Sequence, residues 1–425
     1  MPVDVLLGLQ WGDEGKGKIV DVLAPKYDIV ARFQGGPNAG HTIVLEGKKH
    51  VLHLVPSGIF HPGTQCVIGN GVVLDPVTLR REIEQLETAG IPAREQLYLS
   101  QRAHLILPSH KLLDAASEAA KGDKKIGSTL RGIGPTYMDK TGRNGIRIGD
   151  LTRLDFDEKY QTLLAKHRHM LDVLYDYAYD LGDSEAQFME AVEYLRGLKL
   201  VNSEAMLNSA LAAGKQILAE GAQGTLLDIE FGSYPFVTSS NTTTAGACVG
   251  LGIPPHAIRR VFGISKAYCT RVGSGPFPTE LHDDLGEQIR QEGHEFGATT
   301  GRPRRTGWLD LPLLHFACRL NGVTDLIITK ADVLSALPEV EVCTAYAVAG
   351  EATRDVPYEL EDAQPIYETH AGWQSNLTTL RDRAQLPATM TAYIRMIEAY
   401  LGVPVSYLSV GPDREQILDL QPLEV

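Results

Sequence analysis

Cysteine is scarce in this sequence of 425 residues, and long apolar runs are missing. The five cysteines are scattered, form no Cys-x-x-Cys pair and have no histidine nearby at metal-ligand spacing. This odd, scattered set argues against a disulfide framework and indicates reduced, intracellular thiols. No stretch approaches the ~18 apolar residues of a membrane span, and the N-terminus lacks the pattern of a signal peptide. These absences predict a cytoplasmic protein with no membrane partner.

Positive charge is also in short supply, since 40 Lys and Arg face 53 Asp and Glu for a formal net charge of −13. This balance argues against nucleic acid or anionic membrane as the main partner, because either would be repelled at long range. Basic residues nevertheless cluster between Lys121 and Arg147, and again at Arg302, Arg304 and Arg305. Such clusters on an acidic chain fit a small anionic ligand, although solvated surface charge explains them equally well.

The length permits one large α/β domain with insertions or two domains that share a site. No change of composition marks a linker, so we expect a single domain over residues 1–425. An apolar run at Val3–Leu9 predicts a buried strand, which enters a glycine-rich turn and then a helix at Ile19–Leu23. A second apolar run, Ile29–Phe33, follows. This order of strand, turn, helix and strand predicts a parallel sheet with crossover connections.

Other segments predict insertions into that sheet. Two alternating runs around Glu46-Gly47 predict a β-hairpin from Thr42 to Leu54. Helical patterns over 79–89, 111–120 and 156–198 predict a helical layer, with an insertion at about 150–215. Further strands are predicted at Ile217–Ala219, Arg260–Ile264, Leu326–Thr329 and Val405–Ser409. Two segments rich in Gly, Thr and Arg, 221–252 and 270–307, are predicted as long loops, and loops of this length usually bind a ligand.

The first glycine-rich turn is Gly12-Asp13-Glu14-Gly15-Lys16-Gly17-Lys18. Its glycines allow backbone N–H groups to converge on a phosphate, and the following helix adds its dipole. The turn resembles a P-loop with two departures, because Gln10 stands where the first Gly belongs and Gly17 replaces the Ser/Thr that holds Mg²⁺. Asp13 is therefore the candidate magnesium ligand. A flexible surface turn is the plain alternative.

A second short pattern, Asn38-Ala39-Gly40-His41-Thr42, carries an imidazole between glycine-bearing loops. A histidine in this setting could donate to a developing oxyanion or a phosphoryl oxygen. The alternative is a structural histidine, which is the commoner role of a lone His.

A third pattern, Thr329-Lys330-Ala331-Asp332, ends the apolar run Val323–Ile328. In guanine-nucleotide proteins a turn of this kind reads the base, because its carboxylate accepts from guanine N1–H and the exocyclic amine. Adenine offers no such pair of donors. The turn therefore favours GTP over ATP.

The segment from Gly297 to Arg305 combines a Gly/Thr loop with fixed positive charge. Guanidinium groups bind carboxylates in a bidentate manner, so the spare arginines predict a second substrate that carries carboxylates. A solvated basic loop is the alternative.

Eight segments occur in a familiar order: QWGDEGKGK, QGGPNAGHT, IGSTLRGIGP, EGAQGTLLDI, YPFVTSSN, TRVGSGPFPTE, EFGATTGRPRRTGWLD and TKADVL. Together they resemble the adenylosuccinate synthetase family, and the resemblance extends from Val3 to about Arg414. It implies an α/β fold with a P-loop-NTPase-like, mainly parallel central sheet and helical and small antiparallel insertions. It also implies a ligase that joins L-aspartate to inosine monophosphate (IMP) with GTP. The products would be adenylosuccinate, GDP and phosphate, formed through 6-phosphoryl-IMP as the first committed step from IMP to AMP.

The resemblance also implies roles for individual residues. The catalytic set would be Asp13 as general base, His41 as acid partner, Lys16 and Gln223. GTP would contact Gly12, Asp13, Glu14, Gly15, Lys16, Gly17, Lys18, Gly40, His41, Thr42, Arg304, Lys330, Ala331, Asp332, Ser409, Val410 and Gly411. IMP would contact Asp13, Glu14, Gly15, Lys16, Asn38, Ala39, Gly40, His41, Thr129, Arg143, Gln223, Thr238 and Arg302. Aspartate would be held by Ala298, Thr299, Thr300, Gly301, Arg302, Pro303 and Arg304.

One Mg²⁺ per subunit would be held by Asp13 and the carbonyl of Gly40, and a homodimer is implied because Arg143 would reach IMP from a second subunit.

Two other functions remain open at this point. A GTPase switch would share the glycine turn and the Thr-Lys-x-Asp turn, but it would not need the arginine loop. A catalytically inactive nucleotide-binding or scaffold protein could have lost Asp13, Lys16 or His41, all of which are present.

Overall fold

The first strand, Val3–Gly8, is buried along its whole length, as expected of a strand that is covered on both faces of a parallel sheet. In the computed structural model, which describes residues 3–45, 47–297 and 301–421, this strand lies near the middle of a ten-stranded sheet. The strands are β1 (Val3–Gly8), β2 (Ile29–Arg32), β3 (His41–Leu45), β4 (Lys48–Leu52), β5 (Gln65–Ile68), β6 (Val73–Leu74), β7 (Leu97–Ser100), β8 (His104–Leu105), β9 (Lys199–Val201), β10 (Ile217–Glu220), β11 (Ile258–Lys266), β12 (Cys269–Arg271), β13 (Arg305–Gly307), β14 (Leu309–Asp310), β15 (Asp325–Thr329), β16 (Glu339–Val348), β17 (Glu351–Thr353), β18 (Gln364–Ala371), β19 (Val405–Ser409) and β20 (Ile417–Asp419).

The sheet order is β20-β19-β15-β11-β1-β10-β2-β5-β7-β9. Every neighbouring pair is parallel except β19 and β20. The helices are α1 (Lys16–Leu23), α2 (Pro76–Thr88), α3 (Ala93–Gln96), α4 (Pro108–Ala120), α5 (Ile133–Thr141), α6 (Phe156–His169), α7 (Ser184–Arg196), α8 (Ser203–Ala212), α9 (Thr244–Leu251), α10 (Asp284–Glu292), α11 (Leu311–Asn321) and α12 (Ala388–Leu401). The predicted α/β class with a mainly parallel sheet is confirmed.

The predicted hairpin is present as β3 and β4, which pair from His41 and Leu52 to Leu45 and Lys48. Glu46, in its predicted turn, lies outside the described residues. Helix α1 begins at Lys16, three residues before the predicted start. It packs tightly against the hairpin, since a Cβ on Gly17 would lie 2.7 Å from the Cβ of His41. Only glycine at this position allows the first turn of α1 to approach the histidine so closely.

The two segments predicted as long loops contain regular structure, so that prediction was wrong in part. The first includes α9, and the second includes α10 and strand β13. Helix α10 is capped at its N-terminus by Asp283, whose carboxylate accepts from the N–H of Gly286 at 3.1 Å. In α9 a Cβ on Gly250 would lie 2.0 Å from the carbonyl oxygen of Phe33. Tertiary packing therefore fixes a short helix whose small residues carry little helical signal of their own.

The segment at about 150–215 contains α6, α7 and α8, as the predicted helical insertion requires. It also contains β9, which extends the central sheet beside β7. A further small sheet is built on β16, which pairs antiparallel with β17 and β18. The prediction of a single domain over residues 1–425 stays a prediction. Within the ranges that the structure describes, no helix combines the length and apolar character that crossing a bilayer requires.

The N-terminus of α11 carries a buried carboxyl group, Asp310, with two donors on one oxygen. Its Oδ1 accepts from the N–H of Leu313 at 3.1 Å and from the hydroxyl of Tyr346 at 2.6 Å. Its Oδ2 has no hydrogen-bond partner among the described residues. Burial raises the pKa of Asp310 to about 7. The folded protein therefore holds a proton on this group at pH values where an exposed aspartate is ionised.

We expect Asp310→Asn to gain stability over the natural chain as pH rises. In the unfolded chain an aspartate titrates near 3.9, so between about pH 4 and pH 7 the folded state binds more protons and stability falls with rising pH. Asparagine keeps an acceptor for Leu313 and Tyr346 and removes the titration. The free energy of unfolding of the variant, relative to the natural chain, should rise by a few kcal/mol across this window. Denaturant unfolding at several pH values measures this, and a difference that is independent of pH would contradict it.

Candidate active site

A cavity opens where several parallel strands end. Its volume of about 920 Å³ is near the upper limit for ligand pockets in proteins. In a parallel sheet the carboxyl ends of the strands share one edge, and ligands bind outside that edge. Most of the predicted site residues line this cleft. They are Gly12, Asp13, Glu14, Gly15, Lys16, Gly17, Lys18, Asn38, Ala39, Gly40, His41, Thr42, Thr129, Gln223, Thr238, Arg304, Lys330, Asp332, Ser409 and Gly411.

Some predicted residues do not line the cleft. Among the described residues these are Arg143, Gly301, Arg302, Pro303, Ala331 and Val410. Arg302 lies close by, where its Nη1 donates to the carbonyl oxygen of Gly127 at 3.3 Å. Arg143 is exposed and has a left-handed backbone with φ 63°. Three residues of the predicted aspartate loop, Ala298, Thr299 and Thr300, lie outside the described residues.

The glycine-rich turn is held together by Glu14. Its Oε1 accepts from the backbone N–H groups of Gln10 at 3.1 Å and Gly12 at 2.9 Å, and its Oε2 accepts from Lys16 Nζ at 2.5 Å. Asp13 has φ 62°, a left-handed conformation that costs a non-glycine residue energy. The Asp13 side chain is about one-third exposed, at 34%. The turn therefore buries one carboxylate as a brace and presents the other to the cleft.

Gln10, which departs from the P-loop pattern, joins β1 to the end of β11. Its Oε1 accepts from the N–H of Lys266 at 3.0 Å, and its Nε2 donates to the carbonyl oxygen of Tyr268 at 3.0 Å. A glycine could make neither bond. The departure at this position thus has a structural reason.

Lys18 was predicted as a GTP contact, and in the structure its amine is bonded to the end of β19 and to the turn that follows this strand. Its Nζ donates to Ser409 Oγ at 2.8 Å, to the carbonyl oxygen of Gly411 at 2.6 Å and to that of Gln416 at 2.9 Å. Burial lowers the pKa of Lys18 to about 8, although Asp332 and Asp413 oppose this. The amine braces the turn after β19, where Ser409 and Gly411 lie.

His41 is paired with Glu220, a residue that sequence analysis did not assign to the site. The Nδ1–H of His41 donates to Glu220 Oε1 at 2.6 Å, and both side chains are buried. Glu220 also accepts from the N–H and the hydroxyl of Ser57, at 2.8 Å and 2.7 Å. Because the carboxylate fixes the proton on Nδ1, the other ring nitrogen, Nε2, is the one that a ligand can use.

The charges around this pair are buried as well. Arg32, the register neighbour of Glu220 on β2, has no exposed surface, and its Nη1 donates to the carbonyl oxygen of His53 at 3.1 Å. Burial lowers the pKa of His41, against the effect of Glu220. Burial alone would raise the pKa of Glu220, but its bond to His41 and the charge of Arg32 hold it below the ordinary value. The carboxylate of Glu220 is thus ionised, and its negative charge favours a proton on the His41 ring that burial alone would disfavour.

The Thr-Lys-x-Asp turn lies directly beside the glycine-rich turn. Thr329 Oγ1 donates to the carbonyl oxygen of Glu14 at 2.8 Å. Lys330 has φ 63°, and its Nζ donates to the carbonyl oxygen of Gly293 at 2.6 Å. Asp332 faces the cleft, where burial raises its pKa. The two turns that the sequence analysis assigned to phosphate and base are therefore in direct contact.

Arg304 reaches across the cleft to the glycine-rich turn. Its Nε donates to Asp13 Oδ2 at 2.8 Å, and its Nη1 donates to Glu295 Oε2 at 2.5 Å. Glu295 was also missed by sequence analysis. It is the single acidic residue between Gly293 and Trp308, a stretch with three arginines, and that isolation was an available signal.

Three buried residues near the cleft, His110, Asp139 and His167, have potential metal-ligand atoms within 4.8 Å of one another. His110 Nδ1 accepts from the N–H of Leu107 at 2.9 Å, so the proton of this ring is on Nε2, which donates to Asp139 Oδ2 at 3.0 Å. Lys166 Nζ lies 2.5 Å from the other oxygen of Asp139. A protonated nitrogen and an adjacent ammonium group do not suit a cation, so the cluster is a hydrogen-bonded support for α5.

Comparison with known proteins identifies the family. A family model described as adenylosuccinate synthetase matches residues 5–418. An adenylosuccinate synthetase from Parabacteroides distasonis is 57% identical over 419 residues, which cover 98% of this chain and 99% of that protein. One from Christiangramia forsetii is 56% identical over 423 residues, covering 98% of this chain and 100% of that protein. The chain belongs to the adenylosuccinate synthetase family.

Solved structures agree with this assignment. A fully ligated adenylosuccinate synthetase from Plasmodium falciparum is 40% identical with a TM-score of 0.93, covering 99% of this chain and 100% of that one. A succinoaminodeoxyadenylate synthetase from cyanophage S-2L, at 22% identity and a TM-score of 0.66, shares the fold. The chain is accordingly a ligase of purine biosynthesis, which joins L-aspartate to IMP with GTP. The predictions of family, fold class and reaction are confirmed.

Replacing Glu220 by Gln should lower the rate of adenylosuccinate formation by about 10²-fold. The glutamine fits the same space but removes the negative charge that favours a protonated His41 ring, while the KM for GTP should change little. Steady-state kinetics with varied GTP measures both quantities. Ser57→Ala, which removes a different donor from the same carboxylate, serves as the control and should cost less than about 10-fold. A Glu220→Gln enzyme with the control's rate would show that His41 does not depend on this partner.

Proposed function

We propose that the ligation proceeds in two steps within this one cleft, with Asp13 as general base and His41 as general acid. The observation that carries these roles is the contact of Arg304 Nε with Asp13 Oδ2 at 2.8 Å. It brings the predicted carboxylate-binding arginine onto the carboxylate of the nucleotide turn, in the cleft that His41 also lines.

In the first step the O6 atom of IMP attacks the γ-phosphorus of GTP. Asp13 accepts the N1 proton of IMP, which allows electron density to move to O6, and GDP leaves as the bond to the bridging oxygen breaks. His41, in the protonated form that the negative charge of Glu220 favours, donates from Nε2 to the oxygen that gains charge. Lys16, buried in the same turn at 3% exposure, supplies fixed positive charge beside the phosphates. The product of this step is 6-phosphoryl-IMP.

In the second step the amine of L-aspartate attacks C6 and phosphate leaves. Arg302 and Arg304 hold the carboxylates of aspartate. Gln223 lines the same cleft with φ 53°, and its Oε1 accepts from Gln34 Nε2 at 3.3 Å. It directs its amide toward the O6 atom of IMP. Asn38, Thr129 and Thr238, which line the same cleft, contact the rest of the IMP molecule.

The guanine base of GTP lies against the Thr-Lys-x-Asp turn. Asp332 accepts from N1–H and the exocyclic amine, and the stem of Lys330 packs on the ring. Ser409 and Gly411, braced by Lys18, close the other side. This arrangement explains why GTP is used in place of ATP, since adenine would leave the carboxylate without donors.

The residues present fit a magnesium ion. Asp13 offers a carboxylate that is about one-third exposed, and Gly40 offers its carbonyl along the same cleft. Mg²⁺ prefers oxygen ligands and takes only one or two from the protein when phosphates supply others. Bound there, the ion would neutralise negative charge on the phosphate oxygens.

A homodimer in a cytoplasmic location completes the proposal. Arg143 follows α5 in a turn held by two bonds to the carbonyl oxygen of Asp139, from the N–H groups of Asn144 at 2.9 Å and Gly145 at 3.1 Å. This exposed arginine does not line the cleft of its own chain, which supports a role in the cleft of a second subunit. Unpaired cysteines at all five positions support a reducing compartment.

The reaction is tested by omitting one component at a time. Purified protein with GTP, Mg²⁺, IMP and L-aspartate should release phosphate and form a succinopurine, which is followed by its absorbance. Both signals should vanish when any substrate is omitted, and also when ATP replaces GTP. Phosphate release that continues without IMP and aspartate would instead indicate a GTPase and exclude the role given to Arg304.

The role of Arg143 is tested by mixing two inactive variants. Asp13→Ala and Arg143→Leu should each be inactive alone. After mixing and subunit exchange, half of the dimers are mixed, and each mixed dimer has one site with both residues intact if Arg143 acts in the neighbouring cleft. About one quarter of the natural rate should therefore return. No recovery, despite exchange shown by differently tagged chains, would place Arg143 outside the partner's site.

A further inference from the structure

The carboxylate of Glu295 is a shared acceptor for several groups from different parts of the fold. Lys266 Nζ donates to both of its oxygens at 2.9 Å, and Tyr268 donates to Oε1 at 2.5 Å. Arg304 donates to Oε2 at 2.5 Å. Lys266, at the end of β11, is also bound to Thr270 Oγ1 at 2.7 Å. One anionic group thus joins the end of a central strand to the arginine that lies over the cleft.

The two carboxylates that share Arg304 differ sharply in exposure. Glu295 and its partner Lys266 have no exposed surface, whereas the Asp13 side chain is 34% exposed. Breaking a buried ion pair leaves an uncompensated charge and is costly, while an ion pair open to water is weak. When a ligand enters, Arg304 can therefore leave Asp13 but not Glu295. Burial alone would raise the pKa of Glu295, but the charges of Lys266, Lys330 and Arg304 together lower it to about 2. The carboxylate that holds Arg304 is therefore ionised at neutral pH.

Neighbouring bonds hold the backbone at the same point. The N–H of Arg304 donates to the carbonyl oxygen of Glu295 at 2.9 Å, and Arg290 Nε donates to the carbonyl oxygen of Arg304 at 2.7 Å. Arg304 is consequently fixed at its backbone and at one end of its guanidinium group. The rest of the guanidinium group remains for a second carboxylate.

We propose that Glu295 is a positioning residue for aspartate, which holds the Arg304 guanidinium in place while Asp13 is exchanged for a substrate carboxylate. This rests on the proposed function, in which Arg304 binds aspartate. Glu295 does not touch the reacting atoms. It acts by reducing the freedom that Arg304 would lose on binding.

The central test is Glu295→Gln, which preserves shape and can still accept a hydrogen bond but removes the charge. The KM for aspartate should rise about 10-fold or more, as expected for loss of a charge-assisted bond. The KM for GTP should change much less, because Lys330 has its own bond to Gly293 and lies 3.9 Å from Glu295. Steady-state kinetics with each substrate varied gives the comparison.

A matched control is available in the next residue of the chain. Arg305 is paired with the carboxylate of Glu280 and does not line the cleft. Glu280→Gln removes the same kind of charge from an adjacent arginine, and the KM for aspartate should stay within about 2-fold of the natural value. An equal rise in both variants would show a general effect of loop stability and overturn the proposal.

Two further comparisons of variants make the outcome decisive. If Glu295 acts through Arg304, Glu295→Gln should add little to the rise in aspartate KM caused by Arg304→Leu, so the two effects should be non-additive. Additive effects would overturn the proposal. Should Glu295→Gln alone fail to fold because Lys266 is left unpaired, Lys266→Met/Glu295→Gln compared with Lys266→Met removes that problem, and the same rise of about 10-fold is expected.

Failure of the inference and failure of the proposed function give different results. If Arg304→Leu raises the aspartate KM but Glu295→Gln behaves like Glu280→Gln, Glu295 is not a positioning residue and the role of Arg304 stands. If Arg304→Leu itself leaves the aspartate KM unchanged, the assignment of the aspartate site is wrong.

Discussion

The pairing of β1 with β10 on one side and β11 on the other is the constraint on which the rest of the site depends. The register places Leu6 opposite Glu220 and Gly8 opposite Ile264, so β10, β1 and β11 end at the same edge, with each strand end two residues beyond the one before. Gln10 extends this pairing beyond the sheet through its bonds to Lys266 at the end of β11 and to Tyr268, two residues further on. As a result one edge of the sheet carries the glycine-rich turn after β1, Glu220 at the end of β10 and Lys266 at the end of β11.

That edge carries charges that are unusually well buried. Arg32, Glu220, Lys266 and Glu295 have no exposed surface, and each is close to a residue proposed to act on substrate. Burying charges costs free energy unless they are paired, so Lys266 and Glu295 destabilise the fold less by forming an ion pair, and Glu220 by bonding to His41. Their arrangement before any ligand binds means that little reorganisation remains to be done during the reaction. Electrostatic preorganisation of this kind is a main source of enzymatic rate.

Sequence analysis located six strands of the central sheet, the hairpin and the glycine-rich turn because each has a local signature. Strands such as Val405–Ser409 are continuous apolar runs bounded by turn residues, and the structure has that strand with the same bounds. Sequence analysis missed α9 and α10. Helices of eight or nine residues show too little periodicity to be recognised, and their formation depends on tertiary contacts such as that of Gly250 with Phe33. The strand order was not accessible either, because β10 separates β1 from β2 through pairing over some two hundred residues of sequence.

The functional residues also fall into two groups, those that a sequence motif reveals and those that only the tertiary structure reveals. Residues in glycine-rich or basic motifs, such as Asp13, His41 and Arg304, stand out in the sequence and all line the cleft. Their partners are Glu220 and Glu295. Glu220 is recognised only when the fold brings β3 and His41 to it, whereas Glu295 offered one weak signal, its isolation among three arginines. The sequence analysis therefore identified the groups that face the substrate and missed those that orient them.

The contact between Arg304 and Asp13 bears on how a ligase avoids wasting GTP. On the proposed roles, the base that starts the first step is occupied by the arginine that binds the second substrate. The pair is open to water at Asp13, so a competing carboxylate or the charges of the bound nucleotides can separate it at small cost. Release of Asp13 is then favoured when Arg304 has another anion to bind, which links readiness of the base to occupancy of the cleft. Because Glu295 keeps Arg304 from moving away altogether, the exchange takes place between two fixed carboxylate positions and not by withdrawal of the loop.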